Sequence, residues 1–323
     1  MLVTDKIYGQ FEINDPVVEE LINAPSFQRL KGVWQNGLPP RYIAASIKKW
    51  TFTRYEHSIG VYLLLKILNA SMEEQIAGLL HDVSHMAFSH AYDWIMEDYK
   101  KSDAHVHAQD DRHEEYVKSS ELYGILKRNN LKAEKIIMHT KYQLLDTDVP
   151  NLCADRIDYF LREQSQKLAK EYARNLKVMY NKIVFEDCEH ALDFAKRFIH
   201  SNRVNWASYE SASRFHILAR MMRYAMKKGF VAPTDFAKTD DFVLGKIEML
   251  DDEYIQKNLK ILSMPHLPKK GNKITAWTKF RYVDPLFLDN GKLKRVSAVN
   301  KEFSKHIEEE RKVFTAPIEI YDG

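Results

Sequence analysis

The most apolar segments of this chain are also the ones that carry histidine and aspartate. IAGLL (76–80) runs straight into His81-Asp82, and His57 opens the run HSIGVYLLLKIL. Any fold of this chain must bury those leucines and still satisfy the polar groups beside them. Leaving a neutral polar group buried without a partner costs roughly 2–7 kcal/mol, and a charge costs more. A divalent metal is one such partner. Imidazole nitrogen and carboxylate oxygen are common ligands, and catalytic metals keep a coordination position open for water.

The pattern around these runs predicts helices over most of the first two-thirds. PVVEELINAPSFQRLKGV has apolar residues at helical spacing, with Pro16 suited to a first turn. Further helices are expected over His57–Ala70, over Met72–His81 with Ser71 as N-cap, and over Glu114–Arg128, Leu131–Thr140, Pro150–Gln164, Glu189–Arg203 and Ser208–Lys228. Gly37–Lys49, with Pro39-Pro40, reads as a loop or small hairpin, and the polar stretch Glu97–Asp111 as an exposed loop. Composition changes after Ser263. KITAWTKFRY and VFTAPIEIY are strand-like, Asp289-Asn290-Gly291 is a hairpin signal, and Asn300–Arg311 is helical. The expectation is a mainly α protein: a helical body over 1–263 and a small α+β region over 264–323.

Several function classes drop out. The 323 residues suffice for a large core, and the longest apolar runs, such as VYLLL, fall far short of a membrane span. No basic stretch followed by an apolar one marks the N-terminus, so no secretory signal is expected. Two cysteines, Cys153 and Cys188, make no disulfide framework and suggest a reducing, cytoplasmic setting. Net charge is only +3, but residues 264–323 hold 12 Lys/Arg against 8 Asp/Glu. A solvated surface accounts for that excess; a nucleic-acid-binding patch is the weaker alternative.

Eight of the 13 histidines fall between His57 and His139. Their company narrows the reading: Arg54 and His57, then His81-Asp82, His85, His90 and Asp93, then His113, then Asp155. TRYEHSIGVY, QIAGLLHDVSHMAFSH and CADRIDYFLRE resemble three signature segments of the HD-domain phosphohydrolases. PSFQRLKGVWQNG resembles the segment that precedes them in the branch of the deoxynucleoside triphosphate triphosphohydrolases. The resemblance runs from about residue 5 to 165 and implies an all-α HD-domain helical bundle.

It also implies that His57, His81, Asp82 and Asp155 bind one divalent ion, with Mn, Fe, Mg, Zn, Co and Ni all compatible with such donors. The two carboxylates neutralise a divalent charge, and the ion acidifies water and polarises a phosphoryl oxygen. By the same resemblance, Asp82 also orients or deprotonates the attacking water. His90 is the acid for the leaving oxygen, Asp93 orients it and raises its pKa, and His113 is the third member of that network. The spacing of His90 and Asp93 lets one helix present both on one face. Gln35, Tyr159 and Glu163 are the implied sugar contacts; Arg54, Arg156 and His85 are the implied phosphate contacts. For Tyr159, ordinary helix packing is an equal reading. Ser84 and Met86-Ala87 replace glycine and glycine-proline of the family pattern. Thr4, Asn23 and Lys31 match its nucleotide-activation segment incompletely.

The expected reaction is hydrolysis of a dNTP to deoxynucleoside and triphosphate. The alternatives are a nucleotidase or phosphodiesterase acting on a nucleoside monophosphate or other phosphoester, and a non-catalytic nucleic-acid-binding module. No membrane partner is expected. Assembly into a homo-oligomer is carried over from the family.

Overall fold

The computed structural model describes residues 1–96 and 108–323, with backbone alone at 108–111. Helix makes up 56% of the residues, which bears out a mainly α protein. His105, His107 and most of the polar stretch lie outside the described residues. The end of that stretch differs from the loop reading: a helix, Ala108–Ser119, begins before Asp111. Ser120 then caps a second helix, Glu121–Arg128, so the single helix expected over 114–128 is two.

The helix Arg54–Ile67 is the spine of the molecule. Thr53 caps it: its hydroxyl accepts from Glu56 N (3.2 Å), while Glu56 Oε2 accepts from Thr53 N (2.7 Å). Such a cap contributes about 1 kcal/mol and fixes where the first turn, and so His57, begins. Ten of its residues are buried, from Arg54 through Leu65. Each fully buried aliphatic side chain contributes roughly 1.5–3 kcal/mol over leaving it in water. At Gly60 the spine meets the helix Ala154–Arg162 so closely that a methyl group would collide with Arg162 and Asp158. Glycine is required there by the approach of two side chains that serve the site.

The molecule has two apolar cores, and the spine runs through the first. The first gathers Leu21, Leu64, Leu79, Ile125, Phe160 and Phe198. The other is built on the long helix Tyr209–Lys227, packed against Ser89–Met96 and Glu253–Leu262. His57 and His81 stand on helices of the first core, and His90 on a helix of the second, so the candidate residues meet where the two cores adjoin.

Strands appear in three small sheets. The N-terminal hairpin Leu2–Asp5/Gly9–Glu12 was not expected from sequence, nor was Leu176–Met179/Lys182–Phe185. The latter joins a four-stranded sheet with the hairpin Leu286–Asp289/Lys292–Arg295, through a parallel pairing of Phe185 with Phe287. That pairing crosses the compositional boundary at 263/264. Asn290 and Gly291 have φ of 50° and 79°, the twist of the expected tight hairpin turn. KITAWTKFRY is a strand only at Lys273–Ala276, which pairs with Ile318–Tyr321. Gly37–Lys49 is a loop with a short 3-10 turn at Pro40–Tyr42 rather than a hairpin. Among the described residues no helix is long and apolar enough to cross a membrane.

Candidate active site

His57 is completely buried, and both its ring nitrogens are engaged. Nδ1 lies 2.7 Å from Asp158 Oδ2 and Nε2 lies 2.9 Å from Asp155 Oδ1. Asp158 in turn accepts from Arg162 Nε at 2.7 Å, and Arg162 Nη2 reaches Asp5 Oδ2 at 2.8 Å. This buried chain ties the N-terminal hairpin to the site and fixes the orientation of His57, as carboxylates behind metal-binding imidazoles do. Burial works against a charge on Asp158, but Arg162 and His57 outweigh it and hold the carboxyl below its ordinary range.

His81 closes the helix Met72–Leu80. Its Nδ1 lies 2.7 Å from the Gly78 carbonyl, which turns Nε2 toward Asp82 Oδ1 (3.5 Å) and Asp155 Oδ1 (3.7 Å). Burial opposes a charge on His81, but Asp82 and Asp155 prevail and push its pKa up to about 9. Burial likewise opposes ionisation of Asp155, and His57 and His81 hold its carboxyl well below the usual range. Asp82 is buried as well. Its Oδ2 lies 2.8 Å from Arg54 Nη1 and 3.7 Å from His57 Nε2, and its Oδ1 lies 3.2 Å from His85 Nε2.

A divalent ion fits this set on three counts. The nitrogens of His57 and His81 and a carboxylate oxygen of Asp155 lie within 4.8 Å of one another. Asp82 presents one oxygen to each histidine. The buried Nε2 of His81 has no hydrogen-bond partner. A cation that displaces the proton from that nitrogen would resolve an otherwise expensive orphan.

Beyond Asp82 the chain makes a tight turn with φ of 68° at Phe88 and 46° at Ser89, a conformation costly for non-glycine residues. Buried Asp240 holds it by accepting from Phe88 N (2.8 Å) and Trp34 N (3.1 Å). Ser89 Oγ donates to the Trp34 carbonyl (2.7 Å) and accepts from Arg54 Nε (3.1 Å). The turn delivers His90 and Asp93 on one face of the helix Ser89–Met96.

There the geometry departs from the expectation. His90 Nδ1 and Asp93 Oδ2 stand 3.8 Å apart, beyond hydrogen-bond reach. The net pKa shift of His90 is downward. Desolvation in the cleft is the largest cause, Asp93 opposes it, and Arg54 and Arg281 reinforce it. Among the described residues no hydrogen bond joins His113 to this pair. His113 Nδ1 lies 3.2 Å from Ser84 Oγ, and its ring centroid 4.8 Å from that of His139. Burial, then His139, depresses His113 to about 3; burial, then Arg54, does the same to His85. Both are neutral rings at neutral pH. Ser84, a departure from the family pattern, is thus the residue that holds His113.

The substrate-facing candidates surround this group. Gln35 N donates to the Phe52 carbonyl (3.0 Å) beside the start of the spine helix, and its buried Oε1 has no partner. Arg54 is committed to Asp82 and Ser89, leaving Nη2 unpartnered. Tyr159 packs edge-on to Trp206, with ring centroids 5.2 Å apart, and lies 6.4 Å from the His57 ring. Glu163 accepts from Asn205 Nδ2 (2.9 Å) and Trp206 Nε1 (3.0 Å), both in the π-helical turn Asn202–Trp206. Arg156 donates to the carbonyls of Asn151 (2.7 Å) and Thr147 (3.0 Å) rather than pairing with Asp155. The Asp155 side chain is 34% exposed and that of His90 51%, although protein crowds around both. Such groups line a cleft. Sequence reasoning missed Asp158, His139 and Trp206. The second aspartate of Asp-Arg-Ile-Asp, one helical turn beyond Asp155, was the available signal for Asp158.

Comparison with known proteins agrees with this geometry. A family model described as "HD domain" matches residues 54–163. The uncharacterized protein YdhJ of Bacillus subtilis is 34% identical, covering 94% of this chain and 94% of its own. The metal-dependent phosphohydrolase cns2 of Cordyceps militaris is 28% identical over 72% of this chain and 68% of its own. The deoxynucleoside triphosphate triphosphohydrolase SAMHD1 of Gallus gallus is 26% identical over 67% of this chain, which spans 38% of that relative. A crystal structure of a hypothetical protein from Aquifex aeolicus shares the fold, with a TM-score of 0.60 at 19% identity, covering 99% of this chain and 94% of that one.

Proposed function

This chain belongs to the HD-domain family of metal-dependent phosphohydrolases, and on that premise we propose that it hydrolyses deoxynucleoside triphosphates to deoxynucleoside and triphosphate. Hydrolysis of phosphoester bonds with a divalent metal follows from the family; the choice of a dNTP is our own reading. It is carried by the two groups that flank the metal donors. The buried, unpartnered Oε1 of Gln35 offers an acceptor to a sugar hydroxyl, and Tyr159, braced by Trp206, offers a rigid phenol wall 6.4 Å from the His57 ring. A relative of this chain that bears the triphosphohydrolase name supports the reading.

In this reading His57, His81, Asp82 and Asp155 hold the ion, which supplies an acidified water and a polarised phosphoryl oxygen. Asp82, fixed by Arg54, orients the water toward the α-phosphorus. As the new P–O bond forms and the bond to the sugar oxygen breaks, His90 delivers a proton to that departing oxygen. The low pKa of free His90 suits this role once substrate is bound, because an arriving polyphosphate brings the negative charge that raises it. Arg54 Nη2 and Arg156 meet phosphate oxygens, with His85 alongside. Asp93 stands beside the acid, His113 is held by Ser84 farther along the turn, and Glu163 completes the sugar side.

The test is incubation of purified protein with each dNTP and Mn²⁺. Deoxynucleoside and triphosphate should appear in equal amounts, and Asp82→Ala should abolish both. Phosphate released only from nucleoside monophosphates would assign the site to the nucleotidase alternative. Undiminished turnover by Asp82→Ala would overturn the assignment of the site.

A further inference from the structure

A short segment of the C-terminal region passes beside Pro150 and Asn151, just before the helix that carries Asp155. Between the strands Lys273–Ala276 and Leu286–Asp289, Phe280 stacks on Tyr282 (centroids 5.0 Å, planes 9° apart) and on Phe314 (5.2 Å), while Arg311 Nη2 donates to the Tyr282 hydroxyl at 2.9 Å. The backbone is then pinned beside the metal group. Asp284 N donates to the Pro150 carbonyl (2.9 Å), and Arg295 bridges the Asp284 carbonyl and Asn151 Oδ1 (2.6 Å each). Asn151 is also the anchor of Arg156, and Asp155 follows four residues later. Phe280 and Tyr282, the neighbours of Arg281, are both held in the aromatic stack. The charge of Arg281 registers at Tyr159, Arg156, Asp155 and His90.

Neither Lys279 nor Arg281 forms a hydrogen bond or ion pair among the described residues. Lys279 is exposed to solvent and lies near the charges of Arg281 and Arg156; Arg281 is half-buried, where burial opposes its charge, Tyr159 and Asp155 favour it and Arg156 opposes it. Arg156 brings a third positive charge, and its own hydrogen bonds go to neutral carbonyls. Three cations thus gather at the edge of a hydrolytic site with no carboxylate within hydrogen-bond reach of them among the described residues, which leaves their donors available to an anion of several charges. A guanidinium and an ammonium side by side suit phosphate oxygens, one as a fork and one as a point charge.

We propose that Lys279 and Arg281 form, with Arg156, a subsite for the terminal phosphates of a polyphosphate substrate, so that the C-terminal region is part of the active site. This rests on the dNTP reading only for the identity of the remainder of the substrate. A monophosphate would leave the subsite empty, whereas a triphosphate attacked at its α-phosphorus would fill it with the β- and γ-groups.

The experiment pairs steady-state kinetics on dNTPs with calorimetric titration of inorganic triphosphate into the full-length protein. Lys279→Ala and Arg281→Ala should each raise KM about tenfold, with a smaller fall in kcat, and weaken triphosphate binding by a similar factor. Arg281→Lys should recover part of the loss, and thermal melting identifies any variant that has lost its fold. Unchanged KM and unchanged triphosphate affinity in both folded alanine variants would overturn the subsite. If the wild type turns over no dNTP yet binds triphosphate in an Arg281-dependent way, the dNTP reading fails and the subsite stands. If dNTPs are hydrolysed with no dependence on either residue, the reverse holds.

Discussion

On the wall of the cleft that carries His57, His81, Asp82 and Asp155, each candidate ligand is already held by protein: His57 by Asp158, His81 by the Gly78 carbonyl, Asp82 by Arg54, Asp155 by His57. On the wall that the C-terminal region adds, Lys279 and Arg281 make no side-chain hydrogen bond or ion pair among the described residues, and their segment is fixed through Phe280, Tyr282 and Asp284. The first wall is set before any ligand arrives, as catalysis by preorganised charge requires. The second stores unsatisfied positive charge, which serves binding. The difference teaches that rate and affinity are built from different materials on the two sides, and mutations should separate them.

The largest effect should come from emptying the first wall. Dialysis against a chelator should abolish turnover, and Mn²⁺ should restore it; activity that survives chelation would break the comparison at its root. Next, Asp158→Asn touches no substrate but frees the ring of His57. It should weaken metal affinity about 10–100-fold, read by metal titration, with a matching loss of activity at limiting metal. Combining it with Arg281→Ala sharpens the comparison further. If the walls act independently, the two fold-losses in kcat/KM should multiply, within about a factor of two. A marked departure would mean that one wall sets the geometry of the other.

The smallest effect concerns stability. Burial pushes Glu163 up to about 7, against the hydrogen bonds from Trp206 and Asn205. Its folded pKa exceeds its unfolded one, so the protonated group adds stability below about pH 4.5, and that contribution is lost as pH rises through about 7. Glu163→Gln should therefore gain on the wild type between pH 5 and 8, by up to roughly 3 kcal/mol in unfolding free energy. A difference that does not vary with pH would show that Glu163 is ionised in both states.

Much of the first wall was legible in the sequence because its residues sit within apolar, strongly periodic helices. His57 follows a capping box, and His81-Asp82 ends the helix that Ser71 caps. A local pattern there fixes both the element and the face. Where the chain departs from that regularity, legibility falls. The hairpin Leu176–Met179/Lys182–Phe185 turns at Tyr180-Asn181 with φ of 49° and 57° and no glycine to signal it. The second wall was illegible for a different reason. Lys279 and Arg281 fall in KITAWTKFRY, which reads as a strand within a mildly basic region. The approach of Arg281 to Asp155 depends on pairings such as Asp284 with Pro150, and no local period encodes those. The expected His90–Asp93 bond failed on a third count: helical spacing puts two side chains on one face but does not set their rotamers.

The crossing of Phe185 and Phe287 in one sheet has a consequence for the order in which the protein is made. Synthesis runs from the N-terminus, so every candidate metal ligand has left the peptidyl transferase centre by Asp155, while Lys279 and Arg281 follow more than a hundred residues later. Long-range strand pairing is slow and must wait for its second partner. A nascent chain can therefore gather its metal donors well before it can grip a polyphosphate, and the grip is completed only when the last sheet closes.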